Sequence, residues 1–440
     1  MNQNSHFLVY EIQESLPTRF LIFNICLISL TLESDIITRT NSKSSMQAKH
    51  KILFNRPFIA GKELYYIAQT VTFGNMAGDG HFTKSCCELM ENRFEVPRVM
   101  MTPSCTAALE MCAMLCDLKP GDEVIMPSYT FVSTANAVVL RGARPVFVDI
   151  RRDTLNIDED LIESAITSNT KAIFPVHYGG VSCEMDTIMT IADKHGMIVA
   201  EDAAQGVNSF YKNRALGSIG HLGCYSFHET KNYISGEGGA ICINDNQFLD
   251  RAEIIRDKGT NRKRFLRGQV DKYSWVDIGS SYVTSEIVSA FLYGQLEQLE
   301  EIRLRRKANF NHYHRALKGL EEEGLLRRPI VPDGCESNYH MYYILLPNQG
   351  IRDGLMRHLN HHGIMAVFHY VPLHSSPMGL KMGNAEADLP VTEELAVCLL
   401  RLPLYFEITD DEQDIVIQAV SSYLMSRSTT THKVKKAIRI

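Results

Sequence analysis

The sequence predicts an α/β chain with a large domain built on a mostly parallel sheet and a smaller α+β domain after it. Three observations carry this prediction. Between residues 104 and 245, short apolar strands alternate with helical segments, which is the mark of βαβ units. Those strands are almost continuously apolar, as expected of a sheet covered on both faces. After about residue 284 the pattern changes to charged amphipathic stretches interleaved with short apolar runs. The boundaries that follow are a large domain over 51–300, a small domain over 301–425, an extension at 1–50 outside the fold, and a basic tail at 426–440.

The elements are justified in turn. SCTAALEMCAMLCDL (104–118) is apolar at helical spacing, with Ser104 in the N-cap position and Lys119-Pro120-Gly121-Asp122 as its stop. EVIMP (123–127) is a strand, and TFVSTANAVVLRG (130–142) is a helix ending at glycine. ARPVFVDI (143–150) is a strand, LIESAIT (161–167) is helical, and KAIFPVHYGG (171–180) is a strand running into a glycine loop. CEMDTIMTIADKHG (183–196) is a helix, and MIVAEDAAQ (197–205) is a strand with acids at its carboxyl end. GCYSFHETK (223–231) and GGAICIND (238–245) complete the series, the first in an antiparallel or edge position. Residues 285–324 are predicted as one long charged helix. HMYYILLP (340–347), the helix-like RDGLMRHLNHHG (352–363) and MAVFHYVPLH (365–374) follow it.

Composition limits the function classes. With 45% hydrophobic and 22% charged residues the 440-residue chain is globular, with ample material for a core. A net charge of -6 provides no basic excess for phosphate neutralisation, which argues against nucleic-acid binding. Eleven cysteines, an odd number without a CxxC pair, indicate buried thiols in a reducing cytosol rather than a disulfide framework or zinc site. The cluster His358, His361, His362 has no cysteine or carboxylate at ligand spacing, so no metal site is assigned. FLIFNICLISLTL (20–32) is shorter than the about 20 residues a membrane-spanning helix needs. We expect a functional start at or near Met46, with a membrane anchor as the competing reading, and a short solvated tail at HKVKKAIRI (432–440).

Three features separated in sequence carry the chemistry. In an open α/β sheet, ligands bind beyond the carboxyl ends of the strands, the zone of Asp202, Ser128 and the turn entering the 104–118 helix. The helix start Ser104-Cys105-Thr106-Ala107 offers free N–H groups and a positive dipole end that suit a phosphate, though an ordinary capped helix looks the same. Asp202 ends an apolar strand, where an acid holds a protonated ring nitrogen; alone it is as readily a cap or an ion pair. Lys231 follows a strand and precedes Gly236-Glu237-Gly238-Gly239; a lysine kept in a dry cleft has a depressed pKa and forms Schiff bases. Together these are the equipment that pyridoxal 5'-phosphate (PLP) requires.

PSYTFVSTAN (127–136), AEDAAQ (200–205), SFHETKNY (226–233) and GEGG (236–239) together resemble the DegT/DnrJ/EryC1/StrS family of sugar aminotransferases, over about residues 52 to 424. The resemblance implies a fold-type-I, aspartate aminotransferase-like PLP enzyme. It makes Lys231 the Schiff-base lysine and Asp202 the acid on the pyridine nitrogen. It places Gln205 near the cofactor's phenolic oxygen, Phe131 on its ring, and Ser226, Cys105 and Thr106 on its phosphate. His374 falls in a region that approaches the sugar nucleotide. Ser281 stands where the family carries an asparagine that contacts the partner subunit's cofactor, and its hydroxyl retains one donor. A homodimer with shared active sites is implied in the same way. The implied reaction transfers an amine from L-glutamate to C4 of a dTDP-sugar, dTDP-4-dehydro-6-deoxyglucose, giving dTDP-4-amino-4,6-dideoxygalactose and 2-oxoglutarate. Amination at C3, the opposite C4 stereochemistry, and a PLP-binding regulator without turnover stay open at this point.

Overall fold

The computed structural model describes residues 51–382 and 388–437, with side chains to residue 427. The extension at 1–50, with Phe20–Leu32 and Met46, lies outside the described residues.

Seven strands form the central sheet: β1 (Arg98–Thr102), β2 (Glu123–Pro127), β3 (Arg144–Val148), β4 (Thr170–Ile173), β5 (Ile198–Asp202), β6 (Leu222–Ser226) and β7 (Gly239–Ile243), in the order β1-β7-β6-β5-β4-β2-β3. The pairs β2/β3, β2/β4, β4/β5 and β5/β6 are parallel, while β7 runs antiparallel to both β1 and β6. All five residues of β2, β6 and β7 are buried, which explains their unbroken apolar character.

Alternate residues feed two cores. Met101, Ile125, Val199 and Tyr225 face the His81–Phe94, Met185–His195 and Glu286–Leu296 helices. Met100, Met126, Ala200 and Cys224 face the Cys105–Leu115, Val132–Val139 and Leu249–Arg256 helices. The C-terminal part builds a third core from Phe310, Tyr313, Leu355, Leu359, Leu400, Val416 and Val420 around the antiparallel pair β8 (Tyr342–Leu345) and β9 (Leu399–Leu402). Ile52 belongs to this core, through a bridge to Ile364, so the chain at residue 52 packs with the C-terminal part rather than with the large domain expected over 51–300. A fourth cluster, with Tyr129, Tyr178, Met341, Tyr343 and Leu399, joins the two parts beside the strand ends.

The expected long helix over 285–324 is instead three: Glu286–Leu296, Leu299–Ala316 and Lys318–Glu322. No glycine or proline marks the first break. The chain turns at Gln298 (φ -107°, ψ 18°) because the two pieces have different partners. Glu286 bonds the Gly80, Phe82 and Thr83 N–H groups at the start of the His81–Phe94 helix. Arg306 and Asn309 instead bond the Tyr339, His340 and Tyr405 carbonyls. The last helix, Asp410–Ala437, continues through most of the basic segment expected as a solvated tail. Among the described residues no helix is long and apolar enough to cross a membrane.

Candidate active site

A cavity of about 590 Å³ opens at the carboxyl ends of β1, β5 and β6. Its lining brings together Cys105, Thr106, Phe131, Asp202, Gln205, Ser226 and Lys231, which are 126 positions apart in sequence at their extremes.

Local packing sets each of these residues. Ser104 caps the Cys105–Leu115 helix, its Oγ accepting from the Ala107 N–H at 3.1 Å. The first N–H groups of a helix have no intrahelical acceptor, so those of Cys105 and Thr106 remain for an anion in the cavity. Thr106 Oγ1 and Ser133 Oγ lie 2.8 Å apart and tie this helix start to the next helix. Gly239 makes the arrangement possible. It pairs with both Thr102 and Ser226, and a Cβ on it would lie 2.3 Å from the Ser104 carbonyl carbon and 2.4 Å from the Cys105 nitrogen. Only glycine lets the helix start pass over the strand here.

The two acids at the end of β5 point in opposite directions, as strand geometry requires. Glu201 is fully buried on the far side, bonded to His177 Nε2 at 2.8 Å and to the Gly217, Ile219 and Gly220 N–H groups, and so is structural. Asp202 faces the cavity, where its Oδ2 accepts from Thr134 Oγ1 at 2.7 Å and its Oδ1 from the Ala204 N–H at 3.1 Å. Lys231 sits in the loop after β6, with its backbone N–H on the His228 carbonyl at 2.9 Å. Burial lowers the Lys231 pKa from the ordinary lysine value, while the nearby Cys105 and Asp202 oppose the shift. Burial likewise pushes the Cys105 thiol well up, so it is a packing and backbone contributor rather than a nucleophile. Gln205 accepts from the Gly179 N–H at 2.7 Å through Oε1 and donates to the Tyr370 hydroxyl at 2.7 Å through Nε2. Phe131 is 56% exposed, which leaves a ring face free within the cavity lining.

Two expected residues lie elsewhere. His374, expected near the sugar nucleotide, does not line this cavity. It is buried with its Nδ1 2.7 Å from Ser128 Oγ and its Nε2 3.2 Å from Glu393, and Ser128 is thereby also occupied. The loop presents His369 and Tyr370 to the cavity instead, their rings stacked at 3.6 Å, with His369 Nδ1 2.7 Å from the Tyr178 hydroxyl. Ser281 is exposed, outside the lining, with its backbone bridged to Asp257. His340 and Arg401 were also missed, and both line the cavity. Burial holds His340 and His369 well below the ordinary histidine range, so both are neutral. The FHY triplet inside MAVFHYVPLH was the available signal; nothing near Arg401 stood out. His361 and His362 bond carbonyls of their own helix through Nδ1.

The donor set fits PLP. Unpaired N–H groups at a helix start suit the phosphate, a hydrogen-bonded carboxylate suits a ring nitrogen, and a buried amine suits the aldehyde. Comparison with known proteins agrees. Residues 59–421 match the model of the DegT/DnrJ/EryC1/StrS aminotransferase family. The spore coat polysaccharide biosynthesis protein SpsC of Bacillus subtilis is 33% identical over 382 residues, covering 84% of this chain and 96% of that protein. The putative sugar aminotransferase Spr1654 of Streptococcus pneumoniae superimposes with a TM-score of 0.80 at 25% identity, over 87% of this chain and all of that one, and is known in PLP and PMP forms. A DegT DnrJ EryC1 StrS aminotransferase from Brucella abortus gives a TM-score of 0.75 at 30% identity, over 82% and 95%.

Fold and site together define a PLP-dependent enzyme of the sugar aminotransferase class. The chain belongs to the DegT/DnrJ/EryC1/StrS aminotransferase family.

Proposed function

We propose that this enzyme takes an amine from L-glutamate and delivers it to C4 of dTDP-4-dehydro-6-deoxyglucose, forming dTDP-4-amino-4,6-dideoxygalactose for surface polysaccharide. The observation that carries the aminotransferase chemistry is the shared cavity of Lys231, Asp202 and the Cys105–Thr106 helix start. The substrate rests on sequence likeness to the dTDP-4-amino-4,6-dideoxygalactose transaminase subgroup in TPSCTAALEM, VHYGGVSCEMDTIM, RGQVDKY, DIGSSY and MAVFHYVPLH. From the same likeness we place two chains in a cytoplasmic homodimer, with Ser281 reaching the partner's site.

PLP supplies an aldehyde for the donor's amine and an electron-poor ring that stabilises negative charge at the substrate carbon. The residues do the rest. Burial lowers the Lys231 pKa and so favours the neutral amine, and Lys231 Nζ would hold the aldehyde and carry the proton at the substrate carbon. Asp202, fixed by Thr134 and Ala204, would keep the ring nitrogen protonated. Cys105, Thr106 and Ser226, which line the cavity, would hold the phosphate, and Phe131 would support the ring. Gln205 and Tyr370, bonded to each other, close one side of the cavity, and Gln205 would face the phenolic oxygen.

The test is to incubate the protein with L-glutamate and dTDP-4-dehydro-6-deoxyglucose and identify the sugar by NMR. The 4-amino galacto product with stoichiometric 2-oxoglutarate is expected. A gluco-configured product or amination at C3 overturns the substrate assignment.

A further inference from the structure

We propose that one water, held between Lys231 Nζ, His340 Nε2 and Asn338 Oδ1, positions the Lys231 amine. A small space of about 10 Å³ adjoins the main cavity and shares Gln205, Ser226, Lys231 and His340 with its wall. Asn232 and Asn338 also line it. That volume is room for a single water, and side chains around so small a space lie within one water of each other. Lys231 and His340 are therefore near neighbours. Asn232, the next residue in the chain after Lys231, also reaches His340 directly, its Oδ1 3.0 Å from the Nδ1.

The hydrogen bonds around the space fix which atoms are left. Asn232 Nδ2 donates to the Asn338 carbonyl at 2.8 Å, so Oδ1 is the end that faces His340. His340 Nδ1 therefore carries the ring proton, and Nε2 is left with a lone pair. Among the described residues neither that Nε2 nor Lys231 Nζ has a hydrogen-bond partner. The Asn338 amide commits its Nδ2 to the Gln205 and Val207 carbonyls, both at 2.8 Å, and its Oδ1 is buried without a partner. One donor and two acceptors thus remain around a space the size of a water. A water that accepts from the amine and donates to His340 and Asn338 satisfies all three.

The two acceptors are held in place from behind. Arg306 donates to the Tyr339 and His340 carbonyls, and the Asn338 N–H donates to Ser209 Oγ at 2.9 Å. Burial, together with the Lys231 charge, keeps His340 neutral and so an acceptor. The other ionisable groups that act on the pair are Asp202, Cys105, Arg306 and Arg401. His340 is a positioning residue in this arrangement. Its lone pair, passed on through the water, steadies the ammonium form of Lys231 against burial and fixes the direction of Nζ.

The role in transamination rests on the Lys231 assignment of the proposed function, whereas the water site does not. Two variants separate the ring nitrogens of His340. His340→Asn keeps a donor at the position of Nδ1 and removes the acceptor at Nε2; His340→Gln does the reverse. Apoenzymes are pulse-labelled with acetic anhydride over a pH series, and the Lys231 peptide is quantified. The rate near neutral pH reports the fraction of free amine, and the plateau at high pH reports access. His340→Asn should label about three- to tenfold faster near neutral pH with an unchanged plateau, because the ammonium has lost its acceptor. His340→Gln should stay within about twofold of the wild type. Wild-type rates in His340→Asn, the opposite order of the two variants, equal changes in both, or a change confined to the plateau overturn the proposal. If His340→Asn fails to fold, a high-resolution crystal structure of the wild-type apoenzyme decides. A water within about 3.2 Å of Lys231 Nζ, His340 Nε2 and Asn338 Oδ1 supports the proposal, and its absence overturns it. Failure of the proposed function is read separately, as a wild-type holoenzyme that yields no borohydride adduct on Lys231, and leaves the labelling result standing.

Discussion

Thr134 Oγ1 donates to Asp202 Oδ2 at 2.7 Å, and the Thr130 hydroxyl lies 3.0 Å from the Thr134 hydroxyl behind it. The acid proposed to face the cofactor's ring is thus oriented by a side chain from the first turn of the Val132–Val139 helix. A hydrogen bond to a charged group is worth about 1.5–3 kcal/mol. Thr134→Val should therefore weaken cofactor binding at least about tenfold and lower kcat, while Thr134→Ser stays near wild type. Fluorescence titration of the apoenzyme with PLP reads the affinity directly.

Gly239 predicts a different kind of damage. Gly239→Ala places a methyl group against the Ser104 carbonyl and the Cys105 nitrogen, which are backbone atoms that have to move. The expected cost is about 1–3 kcal/mol of stability together with a loss of PLP affinity, because the helix start proposed to hold the phosphate is displaced. Thermal unfolding with and without saturating PLP checks both. A gap between holo and apo midpoints equal to that of the wild type contradicts the phosphate assignment.

Buried histidines set an acid limit. His340 and His369 are held well below the ordinary value of 6.5, chiefly by burial. The unfolded chain takes up protons below 6.5 that the folded chain refuses, so stability is present above that value and is lost as pH falls through it. In His340→Gln one of the two proton uptakes is removed, and the loss should be shallower. Chemical denaturation from about pH 7 to about pH 5 measures the slopes. Equal slopes for variant and wild type contradict the account.

Much of this architecture was legible in the sequence because parallel strands buried on both faces write themselves as apolar runs, and EVIMP is the strand observed, Glu123–Pro127. The Ser104 cap was legible for a local reason, a side-chain oxygen three residues before the N–H it accepts. The break at Gln298 was not, since it reflects which neighbours each half packs against rather than any local signal. In the site, Lys231 and Asp202 stood out through their chemistry beside glycines and an apolar strand. Arg401 did not: it sits in LLRLPL, a strand whose partners, Tyr343 and Val367, are set by tertiary pairing. The contact of His374 with Ser128 was not legible, because it is set by packing between residues 246 positions apart.

The central claim is that the Lys231 amine holds the cofactor while Asp202 faces its ring in the same cavity. Borohydride reduction of the PLP-loaded protein, followed by peptide mapping, tests it most directly. The account predicts a single pyridoxyl adduct on Lys231, absent together with turnover in Lys231→Ala. An adduct on another lysine, or an active Lys231→Ala enzyme, would contradict it.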